Sequence, residues 1–131
     1  MTVLGRFDVL PLYNQIEIRD PSGTDFPEWD TGKEPAVATS QCIAVATRSD
    51  VEGLVPVEVR SDHEVEDLVG WRLLFDGELL LTGDTAVVGN YVANESYSVE
   101  VGRGWHRVRV WGVPVGERPA ELVATFSEPG E

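Results

Sequence analysis

An all-β fold, an antiparallel two-sheet sandwich of jelly-roll-like form with eight or nine short strands, is what this sequence predicts. Three observations carry that expectation. Apolar residues recur with a period of two in segment after segment. No 3.6-residue stripe persists beyond a turn or two, and glycine and proline punctuate the intervals. At 131 residues, 42% of them hydrophobic, the chain is long enough to bury one core as a single domain spanning 1–131, with Ser127 to Glu131 as a solvated tail.

The elements follow in order. From Leu12 to Arg19, Leu12, Asn14, Ile16 and Ile18 share one face and Tyr13, Gln15, Glu17 and Arg19 the other. Asp20-Pro21-Ser22-Gly23 ends that strand with turn formers, and a long loop with Pro27 and Pro35 follows. Gln41 to Thr47 is a second strand whose small side, Cys42, Ala44 and Ala46, implies a layer lying close. Leu54 to Arg60 turns Val55, Val57 and Val59 inward, and Pro56, lacking an amide hydrogen, places this segment at a sheet edge or a strand end. Ser61 to Asp67 is acidic, a loop or one helical turn. Asp76-Gly77, between Gly70–Phe75 and Glu78–Thr82, reads as a hairpin turn. Glu95 to Val101 sets Tyr97, Val99 and Val101 on one side. Gly102-Arg103-Gly104 reads as another hairpin turn, into Trp105 to Gly112, and Glu121 to Ser127 closes the fold with Leu122, Ala124 and Phe126 inward.

Charge bounds the partners. Twenty-three acids against ten Lys and Arg leave a net charge of −13. Nucleic acid is excluded as a partner, since phosphates need cations to neutralise them, and a basic protein is the natural counterpart. The acidity has two competing sources, function or a salt-loving host, and the preference for arginine over the single Lys33 fits a GC-rich genome. No run of eighteen apolar residues predicts a membrane span, and Met1 to Asp8 shows no secretory signal. Cys42 alone cannot form an internal disulfide, so the expected compartment is the reducing cytoplasm.

Chemistry finds little support. Nothing sets His63 or His106 beside Cys42 or a serine, and there is no Gly-x-Ser-x-Gly turn. With so many acids, some carboxylate pair always lies close and signals nothing. Asp20, Asp25 and Asp30 offer hard oxygens to calcium but lack EF-hand spacing, and His63-Glu64 is a weak transition-metal signal. The reading is therefore a protein that is not an enzyme and holds no cofactor and no metal. Two surfaces are candidates for binding a partner. In the acidic loop, Phe26 and Trp29 stand among Asp25, Glu28 and Asp30, either as anchors for a basic protein surface or folded back over one end of the sandwich. In the late strand, alternation puts Trp105, Arg107, Arg109 and Trp111 on one face, either as an interface or as core-completing tryptophans with arginines paired to acids such as Glu100.

The order of features resembles a known family. The Tyr13-Asn14-Gln15 strand, the acidic loop with Trp29-Asp30, Val55-Pro56-Val57-Glu58-Val59, Trp71 before a Leu-rich segment, and Tyr97-Ser98-Val99-Glu100-Val101 before Trp105-His106-Arg107-Val108-Arg109-Val110 carry the likeness. They are similar to bacterial competence protein J, the inhibitor of the DNA-uptake nuclease, and its actinobacterial and cyanobacterial relatives. Trp105 stands where those relatives have tyrosine, and the match lapses around Asn90 to Asn94. The resemblance implies a small jelly-roll-like sandwich and, for its best-known member, inhibition of a nuclease by direct contact. The expectation is an acidic inhibitor or immunity-type module. The alternatives are a structural protein forming a homodimer through the Trp105–Trp111 strand, or a small-ligand-binding jelly roll.

Overall fold

A computed structural model describes residues 3–61, 66–90 and 96–129, Glu66 by its backbone alone. Among these residues ten strands form: β1 (Val3–Val9), β2 (Gln15–Arg19), β3 (Ala36–Ala38), β4 (Cys42–Ala46), β5 (Val55–Ser61), β6 (Arg72–Leu81), β7 (Thr85–Gly89), β8 (Tyr97–Glu100), β9 (Gly104–Val113) and β10 (Glu121–Phe126). They build the expected sandwich of two five-stranded sheets. The first has the order β1-β5-β10-β9-β6, the second β3-β4-β2-β7-β8. Every pairing is antiparallel except that of β5 with β10, which is parallel.

The core lies between the sheets. Ile16 and Ile18 of β2, Ile43 and Val45 of β4 and Val88 of β7 face Val55, Val57 and Val59 of β5, Val108 and Val110 of β9, and Leu122, Ala124 and Phe126 of β10. These are the inward rows that alternation selects in each strand it identifies. β-Branched residues fill a pleated, buried surface well, which is why they dominate here. One lateral edge is closed by Phe7 stacked on Tyr97 at 5.0 Å, the other by the Leu80 amide donating to the Ser40 carbonyl at 2.8 Å.

Several local expectations need correction. Asp76-Gly77 is no hairpin. It lies in the middle of β6, where Asp76 pairs with Arg109 and Gly77 with Val108 of β9. A hairpin needs its two arms to pair with each other, and here both pair with β9 instead. Gly77 makes room for a ring, because a Cβ there would come 2.6 Å from Cζ of Phe75. Gly102-Arg103 is likewise no hairpin turn, since it carries the chain from β8 in one sheet to β9 in the other. Leu12–Asn14 is a 3-10 turn, not the start of a strand. β1, β3 and β7 go unseen in the sequence reading: β3 is three residues long and β1 is an edge strand. Pro56 sits second in β5, at a strand end as expected, though β5 is interior to its sheet.

The strand registers also define two ends. Val9 pairs with Val55, Gln15 with Ala46, and Gly112 with both Arg72 and Leu122. The turns around residues 10–14, 47–54, 69–71 and 114–120 therefore share one end. At the opposite end His106 is fully buried, and its two ring nitrogens each lie 2.7 Å from a carbonyl oxygen, those of Ser127 and Gly102. Carbonyls can only accept, so the ring supplies the N–H, and which of the two oxygens receives it depends on the tautomer. Ser127 also donates its amide to the Arg107 carbonyl at 2.9 Å, so it belongs to the fold and not to a tail; Glu128 and Pro129 are exposed. Replacing the ring by an apolar one of similar shape, His106→Phe, leaves the carbonyls of Gly102 and Ser127 without this donor. We expect a stability loss of about 2 kcal/mol, read as a lower urea midpoint. An unchanged midpoint would show that other groups serve those oxygens.

Candidate functional site

The acidic loop runs the length of the second sheet's outer face, from the end of β2 to the start of β3. It has no strand or helix of its own, and side chains pin it. Gln41 Oε1 accepts from the amides of Thr24 and Asp25 at 2.8 and 2.9 Å, and the Thr39 hydroxyl donates to the Asp25 carbonyl at 2.8 Å. Further along, Trp29 Nε1 donates to Gln15 Oε1 at 2.8 Å, and Gln15 in turn donates to the buried Glu17. At the far end Glu34 accepts from the amides of Asp30 and Thr31 at 2.6 and 3.0 Å and from the Thr31 hydroxyl. The Thr31 hydroxyl foremost, and then the Asp30 amide, hold the Glu34 carboxyl down to about 2.

The loop divides the roles its residues were expected to share. Trp29 is half-buried and folded back onto β2, while Phe26, Asp25, Glu28 and Asp30 stand exposed. Beneath it the small residues Cys42 and Ala44 are buried, which is the close layer that their size implied. Burial, and next the charge of Glu17, push the Cys42 thiol up to about 12, so it stays protonated and is a poor nucleophile.

The late strand lies on the other side of the molecule. Trp105, Arg107, Arg109 and Trp111 share the outer face of the first sheet, as alternation requires, so the two candidate surfaces face opposite directions. Trp111 is only 8% exposed, packed with Leu68, Val123 and Trp71, whereas Trp105 is 40% exposed. Arg107 grips Asp76 of β6 through two hydrogen bonds of 2.9 and 2.7 Å, and Arg109 lies 5.2 Å from the Trp111 ring. Glu100 belongs to the other sheet; the cross-strand acid is Asp76, whose pKa the Arg107 hydrogen bond lowers. A cleft of about 390 Å³ on this face includes Arg6, Glu58, Arg60 and Trp71. Its arginines are engaged by acids: Glu58 is bridged by Arg6 and Arg60, and Arg60 also binds Asp67 bidentately at 2.7 and 2.9 Å, while Asp8 and Glu121 complete the lining.

The calcium candidates do not converge. Asp20 is buried and accepts from the Thr82 hydroxyl at 2.8 Å, tying β2 to the turn after β6, while Asp25 and Asp30 face solvent. Among the described residues no three His, Cys, Asp or Glu side chains gather around a point; His63-Glu64 lies outside them. No helix among them is long and apolar enough to cross a membrane.

One feature escapes sequence reasoning. Tyr13 and Asn14 both adopt left-handed backbone, φ 57° at each, and the Tyr13 ring is 82% exposed. Non-glycine residues pay roughly 1–2 kcal/mol each for that conformation, asparagine least. The Tyr-Asn pair between two apolar runs is the available signal, since asparagine tolerates such turns.

Two expectations follow from this geometry. Because the Glu34 carboxyl sits below its ordinary value of 4.5, its support of the loop is fully present above pH 4.5 and lost as pH falls through about 2. Side-chain NMR titration should find that low midpoint, and a midpoint at 4.5 would show the cage of hydrogen bonds is not formed. Tyr13→Asn should raise stability by about 0.5–1 kcal/mol in urea denaturation, because asparagine accepts the turn cheaply and the ring packs on little. A loss of stability would mean the ring is structural.

No protein-family model and no curated protein matches this sequence. Among solved structures, it is similar to the crystal structure of ComJ, inhibitor of the DNA degrading activity of NucA, from Bacillus subtilis. The TM-score is 0.70 at 11% identity, over 95% of this chain and 93% of that one. The chain thus has a ComJ-like fold along essentially its whole length.

Proposed function

We propose that this protein is a non-enzymatic, acidic binding module that inhibits a basic partner, a DNA-degrading nuclease in kind, by covering its substrate cleft. The observation that carries this reading is the ComJ-like fold over 95% of the chain, with 11% identity leaving the partner's identity open to this chain's own surface. That surface supports it. Asp25, Glu28 and Asp30 stand in water on a loop pinned at both ends, offering fixed negative charge where a nuclease expects phosphate. Cys42 is protonated, and both arginines of the first sheet's cleft are held by Glu58 and Asp67, which favours binding over catalysis. The single thiol suits a cytoplasmic setting. Homodimerisation through the Trp105–Trp111 strand is the weaker alternative, because Trp111 is buried within its own subunit.

The test is a cleavage assay with plasmid DNA and the purified DNA-degrading nucleases of the protein's own host. Stoichiometric loss of cleavage is expected, relieved as sodium chloride rises from about 0.05 to 0.5 M, since screening weakens steering between opposite charges. Full nuclease activity at about tenfold molar excess of this protein would overturn the inhibitor reading, the excess sufficing to saturate a partner of ordinary affinity.

A further inference from the structure

A neutral histidine ring carries one N–H, and His106 has two oxygens to serve. Its Nδ1 lies 2.7 Å from the Ser127 carbonyl and its Nε2 2.7 Å from the Gly102 carbonyl, in a side chain with no exposure. Whichever tautomer the neutral ring takes, a bare nitrogen then faces one carbonyl at hydrogen-bond distance, lone pair against lone pair. The charged ring carries two N–H groups and bonds both oxygens. The two protonation states therefore differ by one whole hydrogen bond. Burial favours the neutral ring while the paired carbonyls favour the charged one, and that opposition is what a proton-operated device needs.

The two carbonyls belong to unlike parts of the fold. Gly102 is anchored from elsewhere: its amide donates to the Asp84 carbonyl at 2.9 Å, as does that of Val101 at 3.0 Å, and β8 and β9 flank it. Ser127 opens a stretch, 127–129, that joins no strand and in which Glu128 and Pro129 are exposed. That stretch lies over the crossover between the sheets, since a Cβ on Gly102 would come 3.2 Å from Cγ of Pro129. Together they bound a cleft of about 500 Å³ that includes Leu4, Asp84 and Glu100. Apolar side chains surround the ring itself, with Phe126 edge-on at 5.6 Å and Leu79 opposite it on β6. The charged groups that these elements carry toward this end are Glu78 of β6, Asp84, Glu100 of β8, Arg103, Arg107 of β9 and Glu128, and all are exposed. The proton on His106 thus answers to two carbonyls and not to a paired carboxylate.

We propose that His106 is a proton-operated latch on the 127–129 stretch. Protonated, the ring bonds both carbonyls and holds Ser127 against the Gly102 crossover. Neutral, it keeps Gly102, which is anchored in any case, and lets go of the Ser127 carbonyl. The stretch then parts from the crossover and the cleft beneath it widens. Two further bonds loosen with it: the Ser127 amide to the Arg107 carbonyl at 2.9 Å, and the Arg107 amide to the Ser127 hydroxyl at 2.7 Å. The sign follows from where the extra bond exists. Only the charged ring in the closed state makes it, so closing takes up a proton and the closed state weakens as pH rises. The sandwich stays intact, because Ser127 is not among the side chains of its core.

Heteronuclear NMR of the ring nitrogens and hydrogen exchange of the Ser127 amide read the two halves of the latch. The full chain is used, carrying His63→Gln so that His106 is the one histidine left. Between about pH 5 and 8, the range over which histidine changes charge, both ring nitrogens should carry protons at the acidic end and Nε2 alone at the other. Over the same range the protection factor of the Ser127 amide should fall about tenfold, the loss of one charge-assisted hydrogen bond, while the amides of Val110 and Ala124 keep theirs. In His106→Gln, whose side-chain amide has no proton to lose, Ser127 protection should not depend on pH. A ring that keeps one proton, or two, across the whole range would overturn the latch. So would constant Ser127 protection while the ring loses its proton, or an equal fall in the His106→Gln variant. The first two readings come from the chain with its own His106, so they decide the matter even where the glutamine variant fails to fold.

Discussion

Facing rows of valine, isoleucine and leucine, pressed between two sheets, are the constraint from which the rest of this structure follows. Neither sheet can bury its apolar face alone, so each supplies the other's cover. The lateral openings of such a sandwich are closed by particular contacts, the Phe7–Tyr97 stack on one side and the Leu80–Ser40 backbone bond on the other. With the sheets fixed, every connection between them must arrive at one of two ends, and the turns acquire defined neighbours. The rigidity of the Tyr13 end is therefore inherited from a core that none of its residues belongs to.

Charge is arranged on this scaffold with equal economy. The acids that the fold needs are engaged: Asp20 with Thr82, Glu34 with Thr31 and the Asp30 amide, Asp67 with Arg60, Asp76 with Arg107. Arg60 and Arg107 are consumed in the same contacts. What remains turned to solvent on the long loop is mainly carboxylate, whereas at the end that carries Tyr13 the exposed Arg72 and Arg118 stand among Asp50, Glu52 and Glu117. Such a surface governs encounter and solubility, whereas affinity requires desolvated apolar anchors.

Alternation alone made much of the scaffold legible. Strands that are clean at the level of sequence, such as Val55–Ser61 and Gly104–Val113, have the inward faces their pattern demands, because successive side chains on a regular strand point to opposite sides. The spacing of Trp105, Arg107, Arg109 and Trp111 placed them on one face correctly. The two-sheet class and the inward valines were thus written in the chain itself.

Only the tertiary structure decided which strands pair, and that changed the meaning of several local signals. Asp76-Gly77 has the chemistry of a turn, yet pairing of both flanks with β9 overrides it and leaves the glycine as space for Phe75. Trp111 and Trp105 are equivalent in sequence, but the segment around Leu68 covers one and not the other. The left-handed turn at Tyr13, and the convergence of distant turns at one end, depend on sheet order and register. Those are properties of contacts between residues far apart in the chain, and no local pattern encodes them.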